Sequence, residues 1–273
     1  MIRKVRGSSQ AHESSVVSVA WHPNSLMLAT GSTDRRVRLF NAYVHGYEPD
    51  APAGALPPNS TFGDCVIEVA HEGCGWVHAV AWSPGDDALL YTSHDGAVAY
   101  VRGPQAQVAV RLDGGGQLPL KCLAVVSERL AVGAGWDGGL LVLARRNTQD
   151  TWRQVAVLGG PSGPGASGGA ALGAAAAGGS GGVVRQLAQM HVGGGGSAVA
   201  PPSPGPAPSG AAGAQPATTG HSACVMGLHV RRAAASAASR GQWAAQSPRW
   251  HVASAGLDGQ VLLWDLSTYI GAT

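Results

Sequence analysis

Val16-Val-Ser-Val-Ala-Trp21-His-Pro-Asn24, followed by Leu26-Met-Leu-Ala-Thr-Gly-Ser-Thr-Asp34 and Val37-Arg-Leu-Phe40, decides the fold because it returns 61 positions later. The second copy reads Val77-His-Ala-Val-Ala-Trp82-Ser-Pro-Gly85, then Ala88-Leu-Leu-Tyr-Thr-Ser-His-Asp95-Gly96, then Ala97-Val-Ala-Tyr-Val101. A third copy spans Leu118 to Val126, Arg129 to Asp137 and Leu140 to Leu143; a fourth spans Ser222 to Val230, Trp250 to Asp258 and Val261 to Asp265. Each is an apolar strand, a turn, a second strand of small and apolar residues, an Asp-containing tight turn and a third strand. Asp95-Gly96, Asp137-Gly138 and Asp258-Gly259 suit such turns, because Asp and Gly accept the positive φ of a two-residue connection. Asp95 and Asp137 are 42 positions apart, and the last repeat ends in Trp264-Asp265. A unit of about 40 to 45 residues with that dipeptide marks the blades of an all-β WD-repeat β-propeller, of which about four can be counted here.

In propellers of this repeat type, four side chains hydrogen-bond in series: a His before the first strand, a Ser or Thr in the second, the turn Asp and a Trp in the third. The last repeat holds the whole set, His221, Ser254, Asp258 and Trp264. The first holds His12, Thr30 and Asp34 but has Phe40 in place of the indole donor, and the middle two keep only Asp95 and Asp137. These residues read as blade-stabilising rather than catalytic.

Composition removes other classes. With 18 basic and 16 acidic residues and a net charge of +2, the 273-residue chain has no basic patch for nucleic acid. It has no run of about 18 apolar residues for a membrane span. The basic N-terminus is followed by no apolar stretch of a signal peptide, which makes the cytosol the default compartment. Cys65, Cys74, Cys122 and Cys224 are too scattered for a disulfide framework. Cys65, His71, Cys74 and His78 fall within fourteen residues, but their spacing lacks the short Cys-x2-Cys hook of a zinc site, so they read as loop residues and small core thiols. Gly133-Ala-Gly135-Trp-Asp-Gly138 matches a dinucleotide fingerprint in letters, yet a strand-like Leu140 to Leu143 follows where a helix is required. No catalytic residue, cofactor site or metal site is assigned.

From 159 to 220, 42 of 62 residues are Gly, Ala or Pro and only Arg185 is charged. Such a stretch buries too little apolar surface to offset chain ordering, so 159–220 is expected to be a flexible, disordered insert. The blades then occupy 1–158 (three repeats) and 221–273 (the last). Within the insert, Val184, Leu187 and Met190 recur at a spacing of three, so 183–191 either stays unstructured or forms a short helix on a partner.

Ala20-Trp-His-Pro-Asn-Ser25, Ala29-Thr-Gly-Ser-Thr-Asp34, Phe62-Gly63, Gly75-Trp-Val-His78, Trp82-Ser-Pro84, Ser93-His-Asp95, Leu118-Pro-Leu120 and Ala255-Gly-Leu-Asp-Gly259 occur in this order. Together they resemble the WD-repeat subunit 1 family of the actin-related protein 2/3 complex, over about residues 12–266 apart from the insert. The resemblance implies a seven-bladed, non-enzymatic, cofactor-free scaffold in the cytoplasm and actin cytoskeleton, bound to other subunits of a complex that nucleates branched actin filaments. It further implies that the insert contacts actin, here through Val184, Arg185, Leu187 and Met190. The match begins partway into the family's sequence, so about three blades are absent: the chain is expected to be an incomplete arc and a fragment, with Ile2 to Arg6 left from a preceding blade, rather than a smaller closed ring. The competing reading is a WD-repeat adaptor of another assembly, such as a ubiquitin-ligase substrate receptor.

Overall fold

The computed structural model describes residues 11–46, 54–85, 88–102, 106–111, 118–159, 185–186, 220–233 and 249–270. Four antiparallel four-stranded sheets account for almost all of them. Blade 1 comprises β1 (Val16–Trp21), β2 (Met27–Ser32), β3 (Val37–Asn41) and β4 (Cys65–Val69). Blade 2 comprises β5 (Val77–Trp82), β6 (Leu89–Ser93), β7 (Ala97–Val101) and β8 (Ala106–Arg111). Blade 3 comprises β9 (Leu120–Ser127), β10 (Leu130–Gly135), β11 (Leu140–Ala144) and β12 (Arg153–Leu158). In blade 4, β14 (Val225–Ala233), β15 (Arg249–Gly256) and β16 (Val261–Asp265) carry β13 (Arg185–Gln186) on the outer edge of β16. A single helical turn, α1 (Ser267–Ile270), follows. No helix among the described residues is long and apolar enough to cross a membrane.

The blades succeed one another along an open arc, with β1 beside β5, β5 beside β9 and β9 beside β14. Strand alternation gives each blade two apolar faces, and the apolar core lies between blades rather than within them. In blade 1 the rear face carries Ala29, Gly31, Val37 and Leu39, and these close on the front face of blade 2 at Val77, Val80, Leu89 and Tyr91. The rear of blade 2, with Leu90, Val98 and Tyr100, meets Leu120, Ala131, Leu141 and Leu143 of blade 3. The rear of blade 3, with Val132, Ala134, Leu140 and Val142, meets Val225, Val252, Leu262 and Trp264 of blade 4. Each Val or Leu sealed at such a seam contributes about 1.5–3 kcal/mol. Polar contacts pin the seams: Val80 N–H donates to Ser18 Oγ (3.1 Å) and Trp82 Nε1 to the Ala20 carbonyl (3.2 Å). The buried Arg145 guanidinium lies 4.5 Å from the Trp152 ring centre and donates to the Glu128 carbonyl and, across the blade 2 and 3 seam, to Ser83 Oγ.

Of the fingerprint glycines, Gly133 and Gly135 end a strand, and the chain turns through Gly138 directly into β11. A Cβ on Gly133 would lie 2.5 Å from Leu120 Cδ1, and one on Gly138 would run into the His221 carbonyl, so strand packing accounts for them. The position after the turn Asp is Gly96, Gly138 and Gly259 in three blades, with φ of 78°, 68° and 74°. Blade 1 places Arg35 there at φ 71°, a conformation that a side chain resists. The expected short helix at 183–191 lies largely outside the described residues, and the two described members, Arg185 and Gln186, pair with Leu263 and Leu262 as strand instead. Ile2 to Arg6 also lies outside the described residues.

Relief of the left-handed strain predicts that Arg35→Gly raises the unfolding free energy by about 1 kcal/mol. Gly138→Ala lowers it by about 2 kcal/mol, since it combines positive φ with the clash on His221. Urea titration of the two variants beside the parent chain reads both.

Candidate functional site

A polar series ties the incoming segment to the turn Asp in blades 1, 2 and 4. In blade 4, Trp264 Nε1 donates to Ser254 Oγ (2.7 Å), Ser254 lies 2.8 Å from His221 Nε2, and His221 Nδ1 lies 3.0 Å from Asp258 Oδ1. Every donor is satisfied when the proton sits on His221 Nδ1 and the Ser254 hydroxyl donates to Nε2. Asp258 also accepts the backbone N–H groups of Ser222 (2.9 Å) and Gln260 (3.1 Å), which fixes the turn and ties the blade's entry to it. The Ser-His-Asp order is that of a hydrolytic triad, but Ser254 is 1% exposed and its oxygen receives the indole N–H, so no acyl group has access.

Blade 1 repeats the arrangement with His12 at 2.7 Å from Thr30 Oγ1 and 2.8 Å from Asp34 Oδ2. Phe40 stands opposite Leu28 as Trp264 stands opposite Val252, and it brings no donor. Arg38 compensates, with one nitrogen 2.8 Å from Asp34 Oδ2 and Nε 2.6 Å from Glu68 Oε2. In blade 2 the reading that only Asp95 remains is corrected: His71 Nε2 is 2.8 Å from Asp95 Oδ2 and its Nδ1 is 2.8 Å from the Tyr91 hydroxyl, while Ser93 donates to Asp95. The ring is reversed relative to blades 1 and 4, because the phenol reaches farther than a Ser or Thr hydroxyl. Blade 3 has Gly133 at the hydroxyl position, and Asp137 accepts the Leu118 N–H at 2.6 Å. Burial alone would raise the carboxyls of Asp34, Asp95 and Asp258; hydrogen bonds from His12 to Asp34, from Ser93 and His71 to Asp95, and from His221 to Asp258 outweigh it. All three therefore titrate below the ordinary 3.8.

The second feature was not read from the sequence. Every inner strand carries an unpaired extra residue at the same place, Val17 in β1, His78 in β5, Lys121 in β9 and Met226 in β14, and β9 has a second at Val126. A bulge re-aims its side chain out of the sheet alternation. His78 Nε2 lies 3.0 Å from His94 Nδ1, the His94 ring lies 5.4 Å from Trp76, and Lys121 Nζ stands 5.8 Å from the Trp136 ring centre. Burial, with Lys121 and His94 nearby, pulls His78 down to about 4, so it is neutral near pH 7. Trp76 is 53% and Trp136 45% exposed, and Met226 and Leu257 are exposed on the same strand and turn positions of blade 4. An amphipathic rim of this kind, with large rings held on rigid hairpins, is suited to docking a protein surface.

No group of three or more His, Cys, Asp and Glu residues is placed to hold a metal among the described residues. His71 is committed to Tyr91 and Asp95, Cys74 donates to the Gly75 carbonyl and Cys65 to the Ile67 carbonyl. Burial raises all four thiols, Cys74 to about 11 and Cys122 to about 12. A cleft of about 400 Å³ beside His22, Leu39, Ile67 and Trp82 holds no pair of acid and base groups. Val184, Leu187 and Met190 lie outside the described residues, as does the side chain of Arg185.

A profile of the WD domain, G-beta repeat, matches residues 3–41. The chain is 33% identical over 152 residues to actin-related protein 2/3 complex subunit 1A of Arabidopsis thaliana, a match covering 54% of this chain and 39% of the relative. It is 35% identical over 151 residues to subunit 1 of Schizosaccharomyces pombe, 53% of this chain and 38% of that one. It is 35% identical over 127 residues to subunit 1B-A of Xenopus laevis, 45% and 33%. The chain thus spans about two fifths or less of these curated relatives, and over about half of its own length the resemblance to subunit 1 holds.

His221→Ala is expected to cost about 2 kcal/mol, since it strands Ser254 and Asp258, while the exposed His229→Ala costs under about 0.5 kcal/mol. A depressed carboxyl contributes stability that is fully present above 3.8 and lost as pH falls through its lower native value. Asp258→Asn therefore weakens the chain near neutral pH and flattens its acid limb. Unfolding midpoints followed down to about pH 3 test this; an unchanged acid limb in the Asn variant refutes the linkage.

Proposed function

We propose that this chain is a non-enzymatic WD-repeat scaffold of an actin-related protein 2/3 complex, working in the cytoplasm and actin cytoskeleton. The observation that carries the reading is the rim of Trp76, His78, His94, Lys121 and Trp136, which includes the Gly75-Trp-Val-His78 string most specific to the subunit 1 resemblance. Its role is geometric. Rigid hairpins hold the rim residues in fixed relative positions, so that neighbouring subunits docked there keep the orientation that nucleation of branched filaments requires. The rim gains affinity by desolvating aromatic area rather than by charge, consistent with a net charge of only +2.

The three-part division at 158 and 220 belongs to the same proposal: blades on either side and a tether between them, anchored to the last blade by β13. Within the tether, Val184, Arg185, Leu187 and Met190 form the contact to an actin filament, three apolar side chains and one cation against a filament surface.

Affinity purification of the chain from its own cells, read by mass spectrometry, should recover two actin-related proteins, and Trp136→Ala with Lys121→Glu should lower that recovery about tenfold. Cullin-type partners in their place would move the chain to the adaptor class. For the tether, co-sedimentation of the assembled complex with actin filaments should fall in Leu187→Asp with Met190→Asp; unchanged co-sedimentation removes the actin contact.

A further inference from the structure

The balanced charge of the whole chain conceals one local excess. The hairpin of β14 and β15, residues 225–256, holds four of the 18 basic residues, Arg231, Arg232, Arg240 and Arg249, and none of the 16 acidic ones. It therefore carries +4, while the rest of the chain carries −2. Such a contrast along one element points outward, to a charged partner, rather than to packing.

Register shows where the excess sits. The inner hairpins of blades 1 and 2 end at Trp21 opposite Leu28 and at Trp82 opposite Leu89. Counted from the first pair of each hairpin, the matching pair in blade 4 is Val230 with Val252. Further pairs follow there, Arg231 with His251, Arg232 with Trp250 and Ala233 with Arg249. At about 3.4 Å per residue they carry the ribbon about 10 Å farther than its counterparts. β16 stops opposite His251, so the pairs beyond it stand on two strands alone. Arg231, Arg232 and Arg249 all lie in this extension, and Arg240 lies in 234–248, outside the described residues.

The extension is anchored at its root. Trp250 packs against the apolar cluster between blades 3 and 4, and the Arg232 guanidinium stands 5.7 Å from the centre of its ring. The Leu266 N–H donates to the Trp250 carbonyl at 3.0 Å, which holds β15 beyond the end of β16. Arg231 and Arg232 are both exposed, and among the described residues neither has a carboxylate partner. Asp265, opposite His251, accepts the Ser267 N–H at 2.9 Å and its hydroxyl at 2.5 Å. The two guanidiniums are thus held on a braced ribbon with no acid of the described chain to answer them.

We propose that this ribbon is an arm that docks an acidic segment of a partner protein. Successive strand residues point to opposite faces, so Arg231 and Arg232 reach out on either side of the ribbon, each able to fork onto a carboxylate. A chain bearing Asp and Glu side chains can follow both sides, whereas the plane of a bilayer meets one. No large exposed apolar side chain stands among the described residues 229–233 and 249–252 to enter a bilayer. A charge of +4 also falls short of the roughly six to ten phosphates that a nucleic-acid binder commonly neutralises. Met226 and Arg231 stand at opposite ends of β14, so the arm is a surface separate from the aromatic rim, and the inference does not rest on the rim or its partners.

A short fluorescein-labelled peptide of Asp and Glu, titrated with the full 273-residue chain and read by anisotropy, should bind saturably and more weakly as salt rises. Arg231→Glu with Arg232→Glu should weaken binding about tenfold or more, and Arg231→Lys with Arg232→Lys about threefold, because an ammonium keeps the charge but not the fork. Arg153→Glu, an equal change of charge at an exposed position of β12, should leave binding unchanged. Failure of the parent chain to bind, equal binding by the double Glu variant, or an equal loss in Arg153→Glu would each overturn the proposal. Tighter binding of polyuridylate RNA or of phosphatidylserine vesicles than of the peptide would overturn it too, by showing that the arm's ligand is not a protein.

Discussion

Each blade has two apolar faces and no interior of its own, so nothing in this chain is folded until two blades meet. The three apolar clusters are three seams, each built half from one repeat and half from the next. Stability is therefore a sum over neighbour contacts, as in any solenoid or repeat array, and the side chains at the seam are set by the distance between sheets. Gly31 is small because Val77 and Val80 stand over it; Val132 and Leu140 are larger because blade 4 answers with Val252 and Leu262. A substitution at a seam is felt by two repeats at once.

The His and Asp residues solve a different problem. A blade joined to its neighbour only by apolar faces would slide, and the incoming chain would be free to fray. In blades 1, 2 and 4 the imidazole bridges the incoming segment to the turn Asp, and in blade 3 the Leu118 N–H takes that place. The chemistry varies, with an indole in blade 4, a guanidinium in blade 1 and a phenol in blade 2, while the connection stays the same. Buried polar series of this kind are costly when incomplete, and in blades 1, 2 and 4 both ring nitrogens of the imidazole are engaged. Burial between the His221 ring and the Trp264 indole withdraws Ser254 from chemistry.

Much of this was legible because period two and the Asp-Gly turns dictate hairpins, and the repeated Trp-x-Pro dictates their alignment. The complete series of His221, Ser254, Asp258 and Trp264 could be named by laying the pattern of this repeat type on the last repeat. His71 could not, because it stands six residues before its strand where His12 and His221 stand four before theirs, and its hydroxyl partner is a Tyr. Arg38 escaped notice since a cation within a strand reads as a solvent-facing residue, whereas here it is buried between Asp34 and Glu68. For Arg185 and Gln186 an apolar spacing of three left open an unstructured stretch or a short helix, a pattern too short to exclude the strand they form. The bulges were invisible for another reason: they appear only when two strands are laid in register, and a single sequence carries no partner.

That last omission has a functional consequence, because the bulge is what separates the rim from the seams. Without the extra residue, His78 and Lys121 would alternate into a sheet face and be consumed in packing. With it, each inner strand gives one side chain to the rim while keeping its valines and leucines for the neighbouring blade. Stability and recognition thus use different residues of the same strand. The rim can therefore diverge, as it does from Val17 through His78 and Lys121 to Met226, while the seam positions stay apolar. A scaffold that must hold several partners at fixed angles needs this division, since contacts that tuned recognition at the expense of the seam would also loosen the frame on which orientation depends.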